Sequence, residues 1–484
     1  MSRADLTNPP ATGTHRDDPC DRPARDQLAL MVSGALSARE LLEAHLVRVG
    51  EHNPELNAVV ALDPARAETA AAAVDEARAA GRDPGPLGGL VTAHKDLQNT
   101  ADFPTSYGSP VYAGHRPTVD SLLVARMAAA GAVAIGKTNT PEFGAGSHTF
   151  NPVYGLTRNP YRPDRSAGGS SGGAAVALRC GMVSIADGSD AGGSLRNPAA
   201  WNNIVGFRPS PRVIPQVGPG NAWNTIPIDG PMGRTVDDVA LLLGVLARPD
   251  ARDPLNRGLD LPARLDLVDG PLRVAFSPTL GGLPVDDDVA DEVARFVGEV
   301  EALGWDVTLD EPDTSGADES FLTLRASMYA SRFATALGPE GLARVKATVR
   351  DEIERGQALS AADLTDALAA ANVLWQRGVE FFTRYDLLIT PVAQVSPFPV
   401  EQEHPETAGG QPVRTYLEWM RSNCRISSFG LPALSLPAGF TDTGFPVGAQ
   451  LVGGPWGDIA LLRAALTLEA ATGHGARRPE RLGA

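Results

Sequence analysis

Residues 166–210 read SAGGSSGGAAVALRCGMVSIADGSDAGGSLRNPAAWNNIVGFRPS and contain two serine clusters flanked by glycines. The first cluster is GGSSGG at 168–173, and the second is GSDAGGS at 188–194. Between them the pattern predicts a short helix at 174–180 and a buried strand at 183–186. Glycines beside a serine let backbone N–H groups approach a substrate closely and permit positive φ angles. A serine nucleophile with an adjacent oxyanion site needs both properties.

Other interpretations of these motifs are weaker. A flexible Gly/Ser linker would not carry the apolar AAVAL and VSIA segments. Residues 168–172 also fit the nucleophile elbow GxSxG, with His474 as its base, but an elbow follows a hydrophobic strand, and residues 159–165 (NPYRPDR) predict a loop. Residues 131–138, GAVAIGKT, fit the letters of a phosphate-binding P-loop, yet the strand-forming AVAI lies inside the motif instead of before it. We therefore expect Lys137 to be structural or at the edge of the site.

The composition is that of an ordinary soluble globular protein of 484 residues, 43% hydrophobic and 21% charged. A formal net charge of −16 without a basic stripe argues against a nucleic-acid partner. The three cysteines are far apart and the eight histidines are scattered, so we expect neither a disulfide framework nor a metal site. No apolar run reaches the roughly 18 residues of a membrane span, and the N-terminal segment lacks the apolar region of a signal peptide. We expect a cytoplasmic protein.

Strand and helix patterns alternate along the chain, which predicts an α/β protein with a largely covered sheet. We expect one large domain at 25–476, a disordered N-terminal tail at 1–24 that is rich in Pro and Asp, and a short C-terminal tail at 477–484. A capping box at 37–40 predicts the start of a helix that continues to about residue 51. The other predicted elements include helices at 64–80, 121–130, 236–247, 287–303 and 458–471 and strands at 90–94, 132–135, 272–276, 305–309, 385–389, 433–436 and 447–452.

Three separated motifs resemble the amidase signature family of serine hydrolases: GLVTAHKD at 89–96, GGSSGG at 168–173 and GSDAGGSLRNPAA at 188–200. The resemblance extends from about residue 26 to residue 472, and it implies a single domain with a central mixed, twisted β-sheet covered by helices on both faces. Shorter matches are GKTN at 136–139, PEFG at 141–144, NP at 151–152, GFRP at 206–209, GPMG at 230–233 and GLPA at 430–433.

The chain departs from the family pattern at two places. Trp201-Asn-Asn203 stands where many members carry Phe-Cys-Gly, and Ala93-His94 replaces a smaller apolar pair before Lys95. We interpret His94 as a structural or supporting histidine instead of a second base.

The resemblance implies that Ser194 is the nucleophile, Ser170 the bridging serine with a cis peptide bond at Gly169–Ser170, and Lys95 the base. The chemistry of these residues agrees, because serine is a poor nucleophile until a neighbour removes its proton. Only three of the 42 basic residues are lysines. Unlike arginine, a lysine desolvated by apolar neighbours can become neutral and accept that proton. Ser170 can donate and accept at once, so it can relay a proton between Lys95 and Ser194.

Small side chains after Asp190 leave the backbone open toward a developing oxyanion. The expected oxyanion donors are the backbone N–H groups of Ala191, Gly192, Gly193 and Ser194. We expect Asp190 and Arg196 to pair and hold this loop, and Ser171 to support the bridging serine. No cofactor is required.

The leading functional hypothesis is a stand-alone amidase that cleaves carboxylic amides, with esters and carbamates as further substrates. The alternative is the glutaminase subunit of a tRNA-dependent amidotransferase, and an esterase of the α/β-hydrolase type is less favoured. The expected partner is a small-molecule amide, with no nucleic acid and no membrane, and any self-association is expected to give a homodimer. The candidate pocket residues are Gly144, Phe150, Trp201, Asn203 and Trp223.

Overall fold

The structure is a computed structural model that describes residues 18–218 and 221–482. Residues 1–17 of the expected N-terminal tail, 1–24, lie outside the described residues. The remainder of that tail differs from the prediction, because Pro19–Asp21 forms a turn of 3-10 helix and Cys20 is fully buried. An ion pair of 2.6 Å between Arg48 and Asp18 holds this turn against the rest of the chain.

Local capping signals set the helix boundaries. The Ser37 hydroxyl accepts the backbone N–H of Glu40 over 3.1 Å, and the Glu40 carboxylate accepts the N–H of Ser37 over 2.8 Å, which confirms the predicted capping box. The helices are α1 (Ala24–Ser33), α2 (Ala38–Leu56), α3 (Pro64–Ala79), α4 (Leu122–Ala129), α5 (Gly172–Arg179), α6 (Arg196–Trp201), α7 (Val236–Leu246), α8 (Asp287–Ala302), α9 (Ala317–Tyr329), α10 (Thr335–Leu342), α11 (Ala347–Ala358), α12 (Ala361–Phe381), α13 (Arg421–Phe429) and α14 (Asp458–Thr472), with a π-helical turn, Ala330–Ala334, joining α9 to α10.

The strands form a large mixed sheet, a smaller sheet and two short ribbons. The strands are β1 (Val59–Val60), β2 (Val91–Lys95), β3 (Val133–Thr138), β4 (Phe150–Asn151), β5 (Gly155–Leu156), β6 (Ala186–Asp190), β7 (Val205–Arg208), β8 (Ile228–Gly233), β9 (Arg273–Phe276), β10 (Asp306–Leu309), β11 (Leu387–Pro391), β12 (Thr407–Ala408), β13 (Gln411–Pro412), β14 (Ala433–Phe440) and β15 (Pro446–Val452). The eight-stranded sheet has the order β10-β9-β11-β15-β14-β7-β8-β6. Its β10–β9 and β9–β11 pairs are parallel and the others antiparallel, so the sheet is mixed, as expected.

Both faces of the large sheet are buried, because consecutive strand residues belong to different apolar clusters. Val274 of β9 belongs to the cluster that contains Val293 of α8, whereas its neighbour Ala275 belongs to the cluster that contains Phe429 of α13. The predicted covering of the sheet by helices is therefore confirmed. Across residues 18–218 and 221–482, no helix combines the length and the apolar character that crossing a membrane requires.

The three-stranded sheet, of order β1-β3-β2, carries Lys95 at the end of β2. It is joined to the large sheet just before β6, where the backbone N–H of Ser184 donates to the carbonyl of Val91 over 2.8 Å. This junction brings the end of β2 close to the serine-rich segment.

One predicted strand is displaced. The apolar residues 183–186 predict a strand, but the strand is β6, Ala186–Asp190, which has the sequence ADGSD. Gly and Asp are depleted in strands, so local propensity argues against it. Antiparallel pairing with β8, which places Asp187 opposite Pro231 and Ser189 opposite Asp229, overrides that propensity. Strand β6 therefore leads directly into the second serine cluster.

Candidate active site

Lys95 lies at the centre of the candidate site. Its side chain is fully buried, and its Nζ lies 2.8 Å from Oγ of Ser170, 2.8 Å from Oγ of Ser171 and 3.0 Å from Oγ of Ser189. The two predicted serine clusters thus meet at one amine. We expected Ser171 to support Ser170, but its hydroxyl contacts the Lys95 amine directly.

Burial sets the protonation of this amine. It lowers the pKa of Lys95 to about 7, although the carboxylates of Asp229, Asp190 and Asp187 oppose the change. A lysine with this pKa is neutral in a substantial fraction of molecules at neutral pH and can accept a proton.

The segment that carries Ser170 is fixed by close packing. The Gly169–Ser170 peptide bond is cis, as expected. The Asn197 side chain donates to the carbonyl of Gly169 over 3.0 Å. The start of α5 admits no side chain at Gly173, since a Cβ there would lie 2.3 Å from the backbone nitrogen of Asn139. The first glycine cluster therefore serves packing as well as backbone conformation.

Ser194 is half-buried and lines a cavity of about 340 Å³ together with Ser170 and Ser189. Its loop is tied to the first cluster by the backbone N–H of Ser171, which donates to the Ser194 carbonyl over 3.2 Å. Within the described part of the chain, no hydrogen bond joins the Ser194 hydroxyl to Ser170 or Lys95. The structure thus brings Ser194 into the same cavity as Ser170 without a direct bond between the hydroxyls.

The predicted oxyanion donors divide into two groups. The N–H of Gly193 donates to the Asp190 carboxylate over 2.7 Å and is therefore already occupied, which removes it from the candidates. The N–H groups of Ala191, Gly192 and Ser194 have no acceptor among the described residues. Of these three residues, Ala191 and Ser194 line the cavity, whereas Gly192 is buried.

The Asp190 carboxylate and the Arg196 guanidinium pair as expected. Their two contacts measure 2.9 and 3.0 Å, and both side chains are fully buried. Burial alone would raise the pKa of Asp190, but the charges of Arg196 and Arg208 and the hydrogen bonds from the loop hold that pKa well below its usual range. The pair fixes the loop because Asp190 also accepts the N–H of Leu195 over 3.1 Å.

His94, whose role the sequence left undecided, forms a buried pair with Asp187. Nδ1 of His94 is 2.7 Å from one carboxylate oxygen of Asp187, and the other oxygen accepts the backbone N–H of Lys95 over 3.1 Å. His94 therefore contacts the backbone support of Lys95 and not the reacting side chains. Asp187 and Ser189 were missed, although their spacing of two residues on one strand is a signal that both face the same side.

Of the predicted pocket residues, only Gly144 lines the cavity. Trp201 is buried and stacks on Trp419 with ring centroids 5.0 Å apart, so it belongs to the core. Phe150 packs against His148, and the Trp223 side chain is 67% exposed outside the cavity. Aromatic side chains fill cores and pockets alike, which is why sequence did not separate these cases.

Asn203 is likewise outside the cavity, and its position explains one departure from the family pattern. Its φ of 53° lies in the left-handed region, which asparagine tolerates better than most residues other than glycine. Its amide donates to the carbonyls of His474 and Arg477 over 3.0 and 3.1 Å. Asn203 therefore anchors the C-terminal segment.

The cavity has an aromatic wall and a polar wall. Phe143 is the centre of the aromatic wall, with ring centroids 4.7 Å from Phe333 and 6.1 Å from Tyr107. The Tyr329 hydroxyl donates to the Phe143 carbonyl over 3.3 Å and so connects α9 to this wall. The polar wall contains Gln98, Asn99, Arg212, Gln216, Asn224 and Asp229.

The residues of the competing motifs lie elsewhere. Lys137 is on β3, where its Nζ donates to Thr105 over 3.0 Å and to Thr100 over 3.1 Å, so it is structural. The His474 side chain lies 2.8 Å from the carboxylate of Glu299 and does not line the cavity. Neither arrangement supports a P-loop or an elbow triad. Over the described residues, no group of three or more His, Cys, Asp or Glu side chains is placed to hold a metal ion.

Comparison with known proteins gives the family. The Amidase family model matches residues 40–462. An acylamidase from Rhodococcus erythropolis is 33% identical over 461 residues, covering 94% of this chain and 96% of the relative. A glutamyl-tRNA(Gln) amidotransferase subunit from Chloroflexus aurantiacus is 34% identical over 485 residues, covering 93% of this chain and 96% of the relative. The chain belongs to the amidase family and is an enzyme that hydrolyses amide C–N bonds.

Solved structures agree with this assignment. A bacterial aryl acylamidase of the amidase signature family superposes with a TM-score of 0.86 at 27% identity, covering 95% of this chain and 99% of that one. A 6-aminohexanoate cyclic dimer hydrolase complexed with substrate gives a TM-score of 0.86 at 26% identity, covering 96% and 100%. These enzymes share the predicted α/β architecture, a large central mixed sheet flanked by helices.

Proposed function

We propose that the enzyme cleaves carboxylic amides through an acyl-enzyme on Ser194, with Ser170 as the proton relay and Lys95 as the base. The observation that carries this proposal is the 2.8 Å contact between Nζ of the buried Lys95 and Oγ of Ser170, in the wall of the cavity that Ser194 also lines. A base with a pKa of about 7 suits proton transfer at neutral pH.

The contacts of Lys95 suggest how its neutral form is oriented. A neutral amine has two N–H donors and one lone pair. If the donors are directed at the hydroxyl oxygens of Ser171 and Ser189, at 2.8 and 3.0 Å, the lone pair is left for the hydroxyl proton of Ser170. Ser171 and Ser189 would then select the direction of proton transfer.

Acylation begins when Ser170 passes its proton to Lys95 and takes the hydroxyl proton of Ser194. Oγ of Ser194 attacks the amide carbon, and the carbonyl oxygen gains the negative charge. The open N–H groups of Ala191, Gly192 and Ser194 stabilise that charge. Collapse of the intermediate breaks the C–N bond as Ser170 gives its proton to the leaving nitrogen and recovers one from Lys95.

Deacylation uses the same groups. Water attacks the acyl carbon while Lys95, through Ser170, accepts a proton from that water. The bond to Oγ of Ser194 then breaks, Lys95 returns the proton to Ser194 through Ser170, and the carboxylic acid is released. Esters and carbamates pass through equivalent acyl-enzymes, so we include them as further substrates.

The cavity favours small amides with an aromatic or apolar portion, because Phe143, Phe333 and Tyr107 present a continuous aromatic wall beside Ser170. The similarity to an acylamidase and to an aryl acylamidase supports this choice. The second candidate function is the release of ammonia from glutamine within an amidotransferase complex. It is favoured by the amidotransferase relative, which is as similar to this chain as the acylamidase is.

A substrate panel tests the proposal. The purified chain should release amine from aryl and aliphatic amides without a partner, and Ser194→Ala should abolish this release while leaving the circular dichroism spectrum unchanged. Hydrolysis of glutamine that appears only when the other amidotransferase components are added would favour the second candidate. Amide hydrolysis that persists in Ser194→Ala would contradict the proposed nucleophile.

A further inference from the structure

Asp229 is a carboxylate at the cavity to which the proposed mechanism gives no role. It lies on β8 directly opposite Ser189 of β6. Side chains directly opposite in an antiparallel pair share a face, with Cβ atoms about 4.5–5.5 Å apart. Because Oγ of Ser189 is 3.0 Å from Nζ of Lys95, the Asp229 carboxylate lies one side chain from the proposed reaction centre.

The two oxygens of this carboxylate differ in their partners. Oδ1 accepts the side-chain N–H of Gln98 over 2.9 Å. The hydroxyl of Ser121 donates to the carbonyl oxygen of the same Gln98 over 2.8 Å, which fixes the amide so that it presents its N–H group to Asp229. Oδ2 has no hydrogen-bond partner among the described residues, while the half-buried side chain lines the cavity. One carboxylate oxygen is therefore available to a ligand.

The charges of Arg332 and Lys95 lower the pKa of Asp229, but no ion pair within the described residues includes this carboxylate. The Arg212 guanidinium is occupied by the Asn224 carbonyl at 2.8 Å and by Asp253 at 3.4 Å. Arg332 is exposed over the Phe333 ring, 5.2 Å from its centroid. Burial raises the pKa of Asp229 to about 6, against the charge of Arg332, so the group is ionised at neutral pH.

We propose that Asp229 is a specificity-determining residue that binds an ammonium group on the acyl portion of the substrate, so that amino-acid amides are preferred over neutral amides of the same size. The inference rests on the proposed function and adds the substrate class. An ammonium group next to the scissile carbonyl would donate a charge-assisted hydrogen bond to Oδ2 of Asp229 while the carbonyl faces Ser194.

The test compares 4-nitroacetanilide with glycine 4-nitroanilide, which differ by one ammonium group. Asp229→Asn keeps the side-chain shape and a partner for Gln98 but removes the charge. We expect the KM for glycine 4-nitroanilide to rise by about tenfold to a hundredfold, with a much smaller change for 4-nitroacetanilide.

Equal effects of Asp229→Asn on both substrates, as expected if Asp229 acts only on the proton affinity of Lys95, would overturn the inference. So would the absence of any effect. Calorimetric binding of glycinamide to Ser194→Ala separates this inference from the proposed function, because it requires no turnover. Adding Asp229→Asn to that variant should weaken glycinamide binding by the same factor, and unchanged affinity would reject the role of Asp229 whatever the reaction proves to be.

Discussion

The side-chain nitrogen of Lys95 lies 2.8 Å from the hydroxyl oxygen of Ser170, although 75 residues of chain separate them. A neighbouring side chain fixes the backbone on each side of this contact. Asp187 accepts the N–H of Lys95 over 3.1 Å, and Asn197 donates to the carbonyl of Gly169 over 3.0 Å. The proposed base and relay are therefore in position before substrate enters, which avoids a reorganisation cost during the reaction.

The pH dependence of kcat/KM should report this base. Because the pKa of Lys95 is about 7 and the neutral amine is the active form, kcat/KM should rise with pH and reach half of its plateau near pH 7. In Lys95→Ala this rising limb of the pH profile should be absent, and the acylation rate should fall by about 10³-fold or more. Lys95→Arg should be nearly as poor, because a guanidinium keeps its proton. His474→Ala is the matched control and should keep the limb, while an inactive His474→Ala beside an active Lys95→Arg would reject the assignment.

Asp190→Asn should destabilise the fold and change its acid sensitivity. Removing one partner of the buried pair leaves Arg196 uncompensated, so the free energy of unfolding should fall by about 3–5 kcal/mol. The lowered pKa of Asp190 means that its stabilisation is complete above the unfolded pKa of about 4 and is lost as pH falls through the folded value. Urea unfolding should therefore show a shallower loss of stability below about pH 4 in Asp190→Asn than in the wild type.

The control for this experiment is Asp442→Asn, whose side chain is 97% exposed. It should leave the free energy of unfolding nearly unchanged. Equal stability of Asp190→Asn and Asp442→Asn would show that the buried pair does not hold the loop.

Gly192→Ala should damage the nucleophile loop. A Cβ at this position would lie 2.6 Å from Cζ of Phe321 and 2.9 Å from Sγ of Cys424, so the loop or those side chains must move. We expect a loss of about 1–3 kcal/mol in the free energy of unfolding. We also expect kcat to fall, because movement of the loop displaces the N–H groups proposed to stabilise the oxyanion. Gly244→Ala on α7, where a Cβ meets no atom within 4 Å, should retain full activity and stability. A fully active Gly192→Ala would contradict the loop geometry.

Much of the fold could be predicted from local pattern. The helix that begins at the Ser37 capping box and the strand that ends at Lys95 lie within a few residues of their predicted limits, because caps and apolar periodicity act locally. Strand β6 was displaced because its pairing with β8, about 40 residues later, outweighs the low strand propensity of Gly and Asp. Such long-range pairing leaves no local signal.

The candidate site was predicted unevenly for the same reason. The motifs identified Lys95, Ser170, Ser171 and the Asp190–Arg196 pair, because these residues lie in runs that resemble a known family. Of the predicted pocket residues only Gly144 lines this cavity, since its aromatic wall joins Phe143 to Phe333 of the π-helical turn, 190 residues away. No spacing rule connects segments that are so distant in sequence.

The most direct test of the central claim is to map the adduct formed by a fluorophosphonate probe. The wild-type protein should carry one adduct, and peptide mass spectrometry should place it on Ser194, the half-buried serine that lines the cavity. Ser194→Ala should take up no label and remain folded. An adduct on Ser170, or labelling that survives in Ser194→Ala, would contradict the account.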